Sequence, residues 1–193
     1  MAIFNTLTEN EKKLLRHRYV RTNQILFHEG DVCTCVCIVI KGHFDIVSYS
    51  FKGREIVYNS LFKGDIFGNN LLFSSDPIYR GNVVAKSDSE VVLIEQPTLV
   101  YLFKNNNDFM MEYLMEQADF VKRLNARIKL LSFDHAEERL KYLFIMNNGE
   151  IKFKYITTLA ETLNLTREVT SRMINKLVKE GKIKRSKNLL QLV

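Results

Sequence analysis

The segment Leu163-Asn-Leu-Thr-Arg-Glu-Val-Thr-Ser-Arg-Met-Ile-Asn-Lys-Leu-Val-Lys-Glu-Gly181 carries a helix end, a helix start and a second helix end in one short run. Asparagine tolerates the left-handed backbone that closes a helix, and threonine is a good N-cap for the next. A first helix, Ile156 to Leu163, therefore stops at Asn164, and a second starts at Thr166. The second runs to about Glu180 and ends before Gly181, since glycine is favoured just past a helix terminus. Two helices joined by so tight a turn make a helix-turn-helix unit.

Advancing 100° per residue from Arg167 places Val178, Ser171, Asn175, Glu168, Lys179 and Arg172 within about 140° of arc. Val169, Thr170, Met173, Ile174 and Leu177 fall on the other side, giving the helix an apolar back. Arginine can donate two parallel hydrogen bonds to guanine, glutamate accepts from the cytosine amine, and asparagine or serine serves either edge. The N-terminal part of such a helix meets base edges in the major groove. Thr166, Arg167, Glu168, Ser171, Arg172 and Asn175 are thus the candidate base-reading residues.

Charge follows the same division. From Glu150 onward there are ten Lys/Arg and four Asp/Glu, whereas residues 1–149 hold eighteen of each, so the whole +6 sits in the C-terminal region. A basic region beside a neutral body suits a polyanion partner, although a solvated helix surface carries such charge too. After Gly181, Lys182-Ile-Lys-Arg-Ser-Lys187 and Asn188-Leu-Leu-Gln-Leu-Val193 read as two short strands and a basic turn, a wing whose Lys184, Arg185 and Lys187 would meet phosphate rather than bases. A winged helix used only for protein contacts is the alternative.

The remaining residues suffice for a second core. At 46% hydrophobic and 26% charged the composition is that of a soluble globular protein. No apolar run approaches the roughly 18 residues of a membrane span. The start, Met1-Ala-Ile-Phe-Asn-Thr6, lacks a basic segment followed by an apolar one, so no secretion signal is expected and a cytoplasmic location is.

Residues 1–107 read as β-rich. Thr8-Glu-Asn-Glu11 is a capping box that predicts a short helix toward Arg18. Apolar runs then alternate with turns: Gln24–Phe27, Cys35–Ile40, Phe44–Tyr49, Ile56–Phe62, Asn82–Lys86 and Val91–Glu95, separated by Glu29-Gly-Asp31, Lys41-Gly42, Phe51-Lys-Gly-Arg54, Lys63-Gly-Asp65 and Ser74-Ser-Asp-Pro77. Strands at such spacing predict a β-sandwich or jelly-roll barrel.

Residues 108–132 read as one long helix. Leu114, Val121 and Ile128 step by seven, with Ala118, Leu124 and Asn125 between them. This is a candidate paired-helix seam, the alternative being a helix packed on the barrel. Ser132-Phe-Asp134 then breaks the helix, and the spacing of Asp134 and Glu137 predicts a capped restart in a C-terminal domain of residues 133–193. The break is a candidate hinge.

Barrel, long helix, hinge and winged helix in this order resemble the Crp/Fnr family of bacterial transcription regulators. Phe27-His-Glu-Gly-Asp31 with Ile40-Lys-Gly42 is similar to the glycine turns of that family's first strands. Phe62-Lys-Gly-Asp-Ile-Phe-Gly68 with Val83-Val-Ala85 is similar to the segment flanking its cyclic-nucleotide phosphate cassette. Thr166-Arg-Glu-Val-Thr-Ser-Arg172 is similar to its base-reading motif. The resemblance implies an α+β protein: an N-terminal cyclic-nucleotide-binding-like jelly-roll barrel, a dimerisation helix and a C-terminal winged helix-turn-helix. It implies that Arg167, Glu168 and Arg172 contact a G·C-containing half-site. The expected assembly is a homodimer on a palindromic double-stranded operator, with RNA polymerase as a further partner and no membrane.

An effector site by the same resemblance comprises Phe67, Gly68, Asn69, Asn70, Tyr79, Arg80 and Gly81. The family's cyclic-AMP binders carry Phe-Gly-Glu, whose glutamate holds the ribose hydroxyl, and a later arginine for the phosphate. Here Asn69 replaces that glutamate and Tyr79 stands at the ungapped position of the arginine, with Arg80 one place on. Cyclic AMP is therefore not the expected effector, and no cofactor is assigned.

All three cysteines lie in Cys33-Thr-Cys35-Val-Cys37 and share one face of a regular strand. Packing is the ordinary role for such thiols, with redox sensing or metal binding as alternatives. The Fnr branch's cluster cysteines are spaced differently, and a fourth ligand is lacking. His17, His28, His43 and His135 form no closely spaced set, and no nucleophile elbow or phosphate-binding glycine loop occurs, so neither a metal site nor an enzyme is expected. A ligand-binding module acting through protein contacts remains the alternative to a DNA-binding regulator.

Overall fold

Short apolar runs broken by glycine and aspartate build the N-terminal half. The computed structural model describes residues 2–53 and 55–193; Met1, and Arg54 at the end of the expected Phe51–Arg54 turn, lie outside the described residues. Two one-turn helices, α1 (Ala2–Asn5) and α2 (Glu9–Lys12), lead into β1 (Arg16–Val20), β2 (Ile25–Phe27), β3 (Cys35–Lys41), β4 (His43–Tyr49), β5 (Glu55–Phe62), β6 (Ile66–Phe67), β7 (Asn82–Ala85) and β8 (Ser89–Glu95). Helices α3 (Gln96–Asn105), α4 (Asn107–Leu131) and α5 (Ala136–Met146) follow. The chain ends with β9 (Glu150–Lys152), α6 (Ile156–Leu163), α7 (Arg167–Lys179), β10 (Ile183–Ser186) and β11 (Leu189–Leu192). It divides into two compact units, Met1–Asp119 and Phe120–Val193, each described by itself below.

In the first unit the described residues form two antiparallel four-stranded sheets, β1-β8-β3-β6 and β2-β7-β4-β5. Side chains at Val20, Phe44, Phe67, Val83, Ala85 and Ile94 belong to one buried cluster. Cys35–Val39 is buried without alternation because α3 packs on β3 and β8 from the other side, with Leu99 and Leu102 fully covered. Strand-to-strand turns depend on backbone freedom at Gly42, where φ is +91° and a Cβ would lie 2.7 Å from the Ser89 Cα. The jelly-roll expectation thus holds as two packed antiparallel sheets.

The Thr8 capping box forms, with the Glu11 amide donating to Thr8 Oγ1 at 3.3 Å and the Thr8 amide donating to Glu11 Oε2 at 2.8 Å. The helix it opens stops at Lys12, not near Arg18, and Arg16–Val20 is a strand. A capping box fixes where a helix starts, not its length. Pairing with β8 decides the rest, reinforced by Arg16–Glu95 at 2.6 Å and His17–Glu90 at 2.8 Å across the strands. Strand β1 lacks alternation in its burial, which left it unread; β6, two residues long, and β9, three, are too short to show a period.

In the second unit β10, β11 and β9 form an antiparallel sheet against α5, α6 and α7. Leu140, Phe144, Leu159, Leu163, Met173, Ile174, Leu177, Ile183 and Leu190 make its core. The predicted Asp134 cap does not form: His135 is the N-cap of α5 and makes no side-chain capping bond. Glu137 is instead engaged by Lys176 at 2.7 Å. Among the described residues no helix is long and apolar enough to cross a membrane.

Candidate nucleic-acid interface

Three local devices aim α7. Asn164 adopts φ 54° and ψ 50°, and its amide donates back to α6, as does that of Leu165 to the Ala160 carbonyl at 2.9 Å. Thr166 is extended, and its Oγ1 accepts from the Val169 amide at 3.3 Å, satisfying one free donor of the first turn. Gly181 takes φ +70° beyond the last turn. The buried back of α7 consists of Thr170, Met173, Ile174 and Leu177, with Thr170 Oγ1 donating to the Thr166 carbonyl at 3.0 Å so that its hydroxyl is not stranded.

The opposite face carries the predicted residues. Thr166, Arg167, Glu168, Arg172 and Asn175 are exposed and Ser171 is half-buried; Lys184, Arg185 and Lys187 are exposed on the wing. Among the described residues no ion pair inside the chain engages Arg167, Arg172, Lys184, Arg185 or Lys187. Lys176 and Lys182 differ: Lys176 pairs with Glu137, and Lys182 reaches Glu180 at 2.6 Å. The chain thus neutralises the cations beside the face and leaves those on it unspent. The Glu168 carboxylate is held below the usual range by its own backbone amide, the Thr166 hydroxyl and the adjoining arginines, so it is an ionised acceptor at neutral pH.

The seam candidates on α4 are also open. Leu114, Val121, Leu124 and Ile128 are each about half exposed, at 52%, 51%, 47% and 58%, and Ala118 and Asn125 are exposed with them.

Part of the proposed effector set is brought together by the fold: a Cβ on Gly68 would lie 3.3 Å from the Tyr79 hydroxyl, and the Phe27 ring meets both Phe67 and Tyr79. Phe67 and Tyr79 are buried, and the Tyr79 ring stacks on Phe27 with centroids 4.8 Å apart. Burial drives the phenol's pKa far up, and its hydroxyl lies against the Cys33 thiol. Gly68 has φ +77°, and a Cβ there would meet the Cys35 carbonyl at 2.7 Å. Asn69 is half-buried, and its carbonyl accepts from the Tyr113 hydroxyl at 3.3 Å. Asn70 is exposed, and Gly81 is buried against the Val47 carbonyl. Arg80 is exposed and paired with Asp76, four residues back. These residues do not fit a cyclic nucleotide held by a glutamate and an arginine. Asn69 has no charge, the exposed Arg80 pairs with Asp76, and Tyr79 belongs to the core.

The three cysteines are buried and free. Cys33 Sγ donates to the Cys35 carbonyl at 3.3 Å, and the sulfurs of Cys35 and Cys37 are 3.8 Å apart. Burial pushes the Cys33 and Cys37 thiols up, which keeps them protonated. The sequence reading missed Arg127 and Arg139, which grip the C-terminal end of α6; nothing in their spacing marks that role.

Residues 17–106 match the family described as the cyclic nucleotide-binding domain. Across 117 residues the chain is 25% identical to the cAMP-activated global transcriptional regulator CRP of Pasteurella multocida, a match covering 61% of this chain and 56% of that protein. Across 188 residues it is 28% identical to the HTH-type transcriptional regulator ArcR of Staphylococcus epidermidis, covering 90% of this chain and 80% of that one. Among solved structures, a CooA variant from Carboxydothermus hydrogenoformans superposes with a TM-score of 0.72 at 19% identity, covering 100% of this chain and 90% of that chain. The catabolite activator protein of Thermus thermophilus does so with a TM-score of 0.59 at 19% identity, covering 100% and 94%.

Proposed function

The chain belongs to the Crp/Fnr family of bacterial transcription regulators, and we propose that it works as a homodimer that reads a palindromic operator through α7. The observation that carries this reading is the outward face of α7. There Arg167 and Arg172 stand exposed with no ion pair among the described residues, while neighbouring Lys176 and Lys182 are paired with acids. An arginine with both forks available suits bidentate contact with guanine, and Glu168, already ionised, suits the cytosine amine. Lys184, Arg185 and Lys187 on the wing would set register against phosphates. Pairing through Leu114, Ala118, Val121, Leu124, Asn125 and Ile128 would present two copies of α7 to two half-sites. RNA polymerase is the proposed second partner, and no catalytic role is assigned.

The barrel is proposed as a sensor whose ligand is not cyclic AMP. The uncharged Asn69, the Asp76-bound Arg80 and the core position of Tyr79 support that reading.

Selection of bound sequences from a random duplex pool tests the assignment. The expected outcome is a palindrome with half-site centres about one helical turn apart. Its enrichment should be lost in Arg167→Ala and unchanged by added cyclic AMP. A pool that emerges unenriched would point instead to a regulator acting through protein contacts.

A further inference from the structure

Helix α6 ends in four carbonyls with no partner further along the helix, and short helices leave the largest share of their backbone in this state. Two of the four are met by the chain's own turn: the Leu165 amide donates to Ala160 O at 2.9 Å and the Asn164 amide to Glu161 O at 3.1 Å. Arginines meet the others. Arg127, on α4, donates through Nη1 to the Thr162 carbonyl and through Nη2 to Glu161 O at 3.2 Å. Arg139, on α5, donates through Nη1 to Leu163 O at 3.0 Å and through Nε to Phe133 O at 2.9 Å.

These contacts all lie inside the unit Phe120–Val193. They bridge the break between α4 and α5 from both sides. Arg139 also holds the carbonyl of Phe133 within the break, and the Phe133 ring packs on Tyr142 at 5.5 Å. The expected hinge at residues 132–134 is therefore braced. Burial and the Arg139 charge work against the Arg127 cation. Two like charges are tolerated together here because each faces the negative end of α6. The carbonyls they hold lie directly before Asn164, whose left-handed backbone sets the direction of α7.

We propose that Arg127, seconded by Arg139, is a positioning residue that fixes α7 relative to the α4 seam and thereby sets which half-site spacing the dimer accepts. The proposal rests on the DNA-reading dimer of the preceding subsection. Val121, Leu124 and Ile128 of the seam lie on the same stretch of α4 as Arg127, Ile128 next to it and the other two within two turns. In a dimer paired there, the distance between the two copies of α7 is fixed by this clamp and by the core of the unit. The hydrogen bonds of Arg127 go to Thr162 and Glu161, neither of them a base-reading residue, so its loss should leave each half-site's base preference intact.

The experiment uses the full-length protein and the operator selected from the random pool, remade with the half-site spacing lengthened and shortened by one and two base pairs. Wild type is expected to lose on the order of tenfold in affinity per base pair of wrong spacing, comparable to a mismatch. Arg127→Ala is expected to lose less than about threefold per step while selecting the same half-site bases. Arg127→Lys keeps the cation but cannot give two carbonyls a planar fork, and should fall between the two. It also serves if the alanine variant does not fold, as judged by circular dichroism. Spacing discrimination equal to wild type in a folded variant overturns the clamp and leaves the DNA reading standing. A wild-type protein that selects no paired half-sites overturns both.

Discussion

Lys176 Nζ lies 2.7 Å from Glu137 Oε1, tying the outer edge of α7 to the first turn of α5. The hydrogen bond and charge of Lys176 hold the Glu137 carboxyl below its ordinary 4.5, and Glu137 holds the lysine above its ordinary 10.5. A carboxyl lowered on folding stabilises the fold above its unfolded pKa and ceases to do so as pH falls through the folded one. The lysine's part is complete below 10.5 and is lost as pH rises from there through its raised value. Urea midpoints measured on either side of pH 4.5 should therefore fall less steeply toward acid in Glu137→Gln than in wild type. Equal acid slopes would mean that the pair does not persist in solution.

Arg167 and Arg172 lie five residues apart on the exposed side of α7, each free to present its guanidinium edge. Replacement of either by alanine should cost on the order of 1–3 kcal/mol on the selected operator and relax preference at one base pair. Random-sequence duplex should bind almost as before. Competition titrations separate the two cases, because an equal loss on both DNAs would assign the arginines to phosphate.

The wing cations carry a different signature. Lys184 and Lys187 extend from the β10–β11 hairpin rather than from α7. Each alanine substitution should weaken all sequences alike and reduce the slope of log affinity against log salt by about one. An unchanged slope would remove the wing from the interface.

The legible parts of this chain were those where one residue type has one local use. Asn164, Thr166 and Gly181 announced the ends of α6 and α7, and all three took the expected backbone. The apolar back of α7 followed from its period. What stayed hidden depends on partners distant in sequence. Strand β1 exists because β8 pairs with it, although four of its five side chains are exposed. Glu137 has the spacing of a cap, yet Lys176 lies thirty-nine residues away and engages its carboxylate.

The stripe on α4 predicts its own disruption. Ile128 is 58% exposed, with Leu124 and Val121 on the turns before it. An acid at a seam position would be desolvated opposite its own copy, whereas on a merely solvated helix it would be harmless. Ile128→Glu should give monomers by sedimentation at concentrations where wild type is dimeric, with an unchanged circular dichroism spectrum. A dimer that survives the change would place the contact elsewhere.

Tyr79 separates a core residue from a ligand-holding one. Its ring stacks on Phe27 and its buried hydroxyl faces the Cys33 thiol, a weak hydrogen-bonding group, so the ring rather than the oxygen supplies most of what Tyr79 gives the fold. Tyr79→Phe should therefore hold or raise the denaturation midpoint. Tyr79→Ala should lower stability by about 3–5 kcal/mol, the range for losing a large aromatic side chain from a core. Were the hydroxyl instead a ligand contact, the phenylalanine variant would keep its stability and lose an effector response. If Tyr79→Phe melts well below wild type, the contact with the Cys33 thiol is a strong one, and the barrel's core is held by more than ring packing at that point.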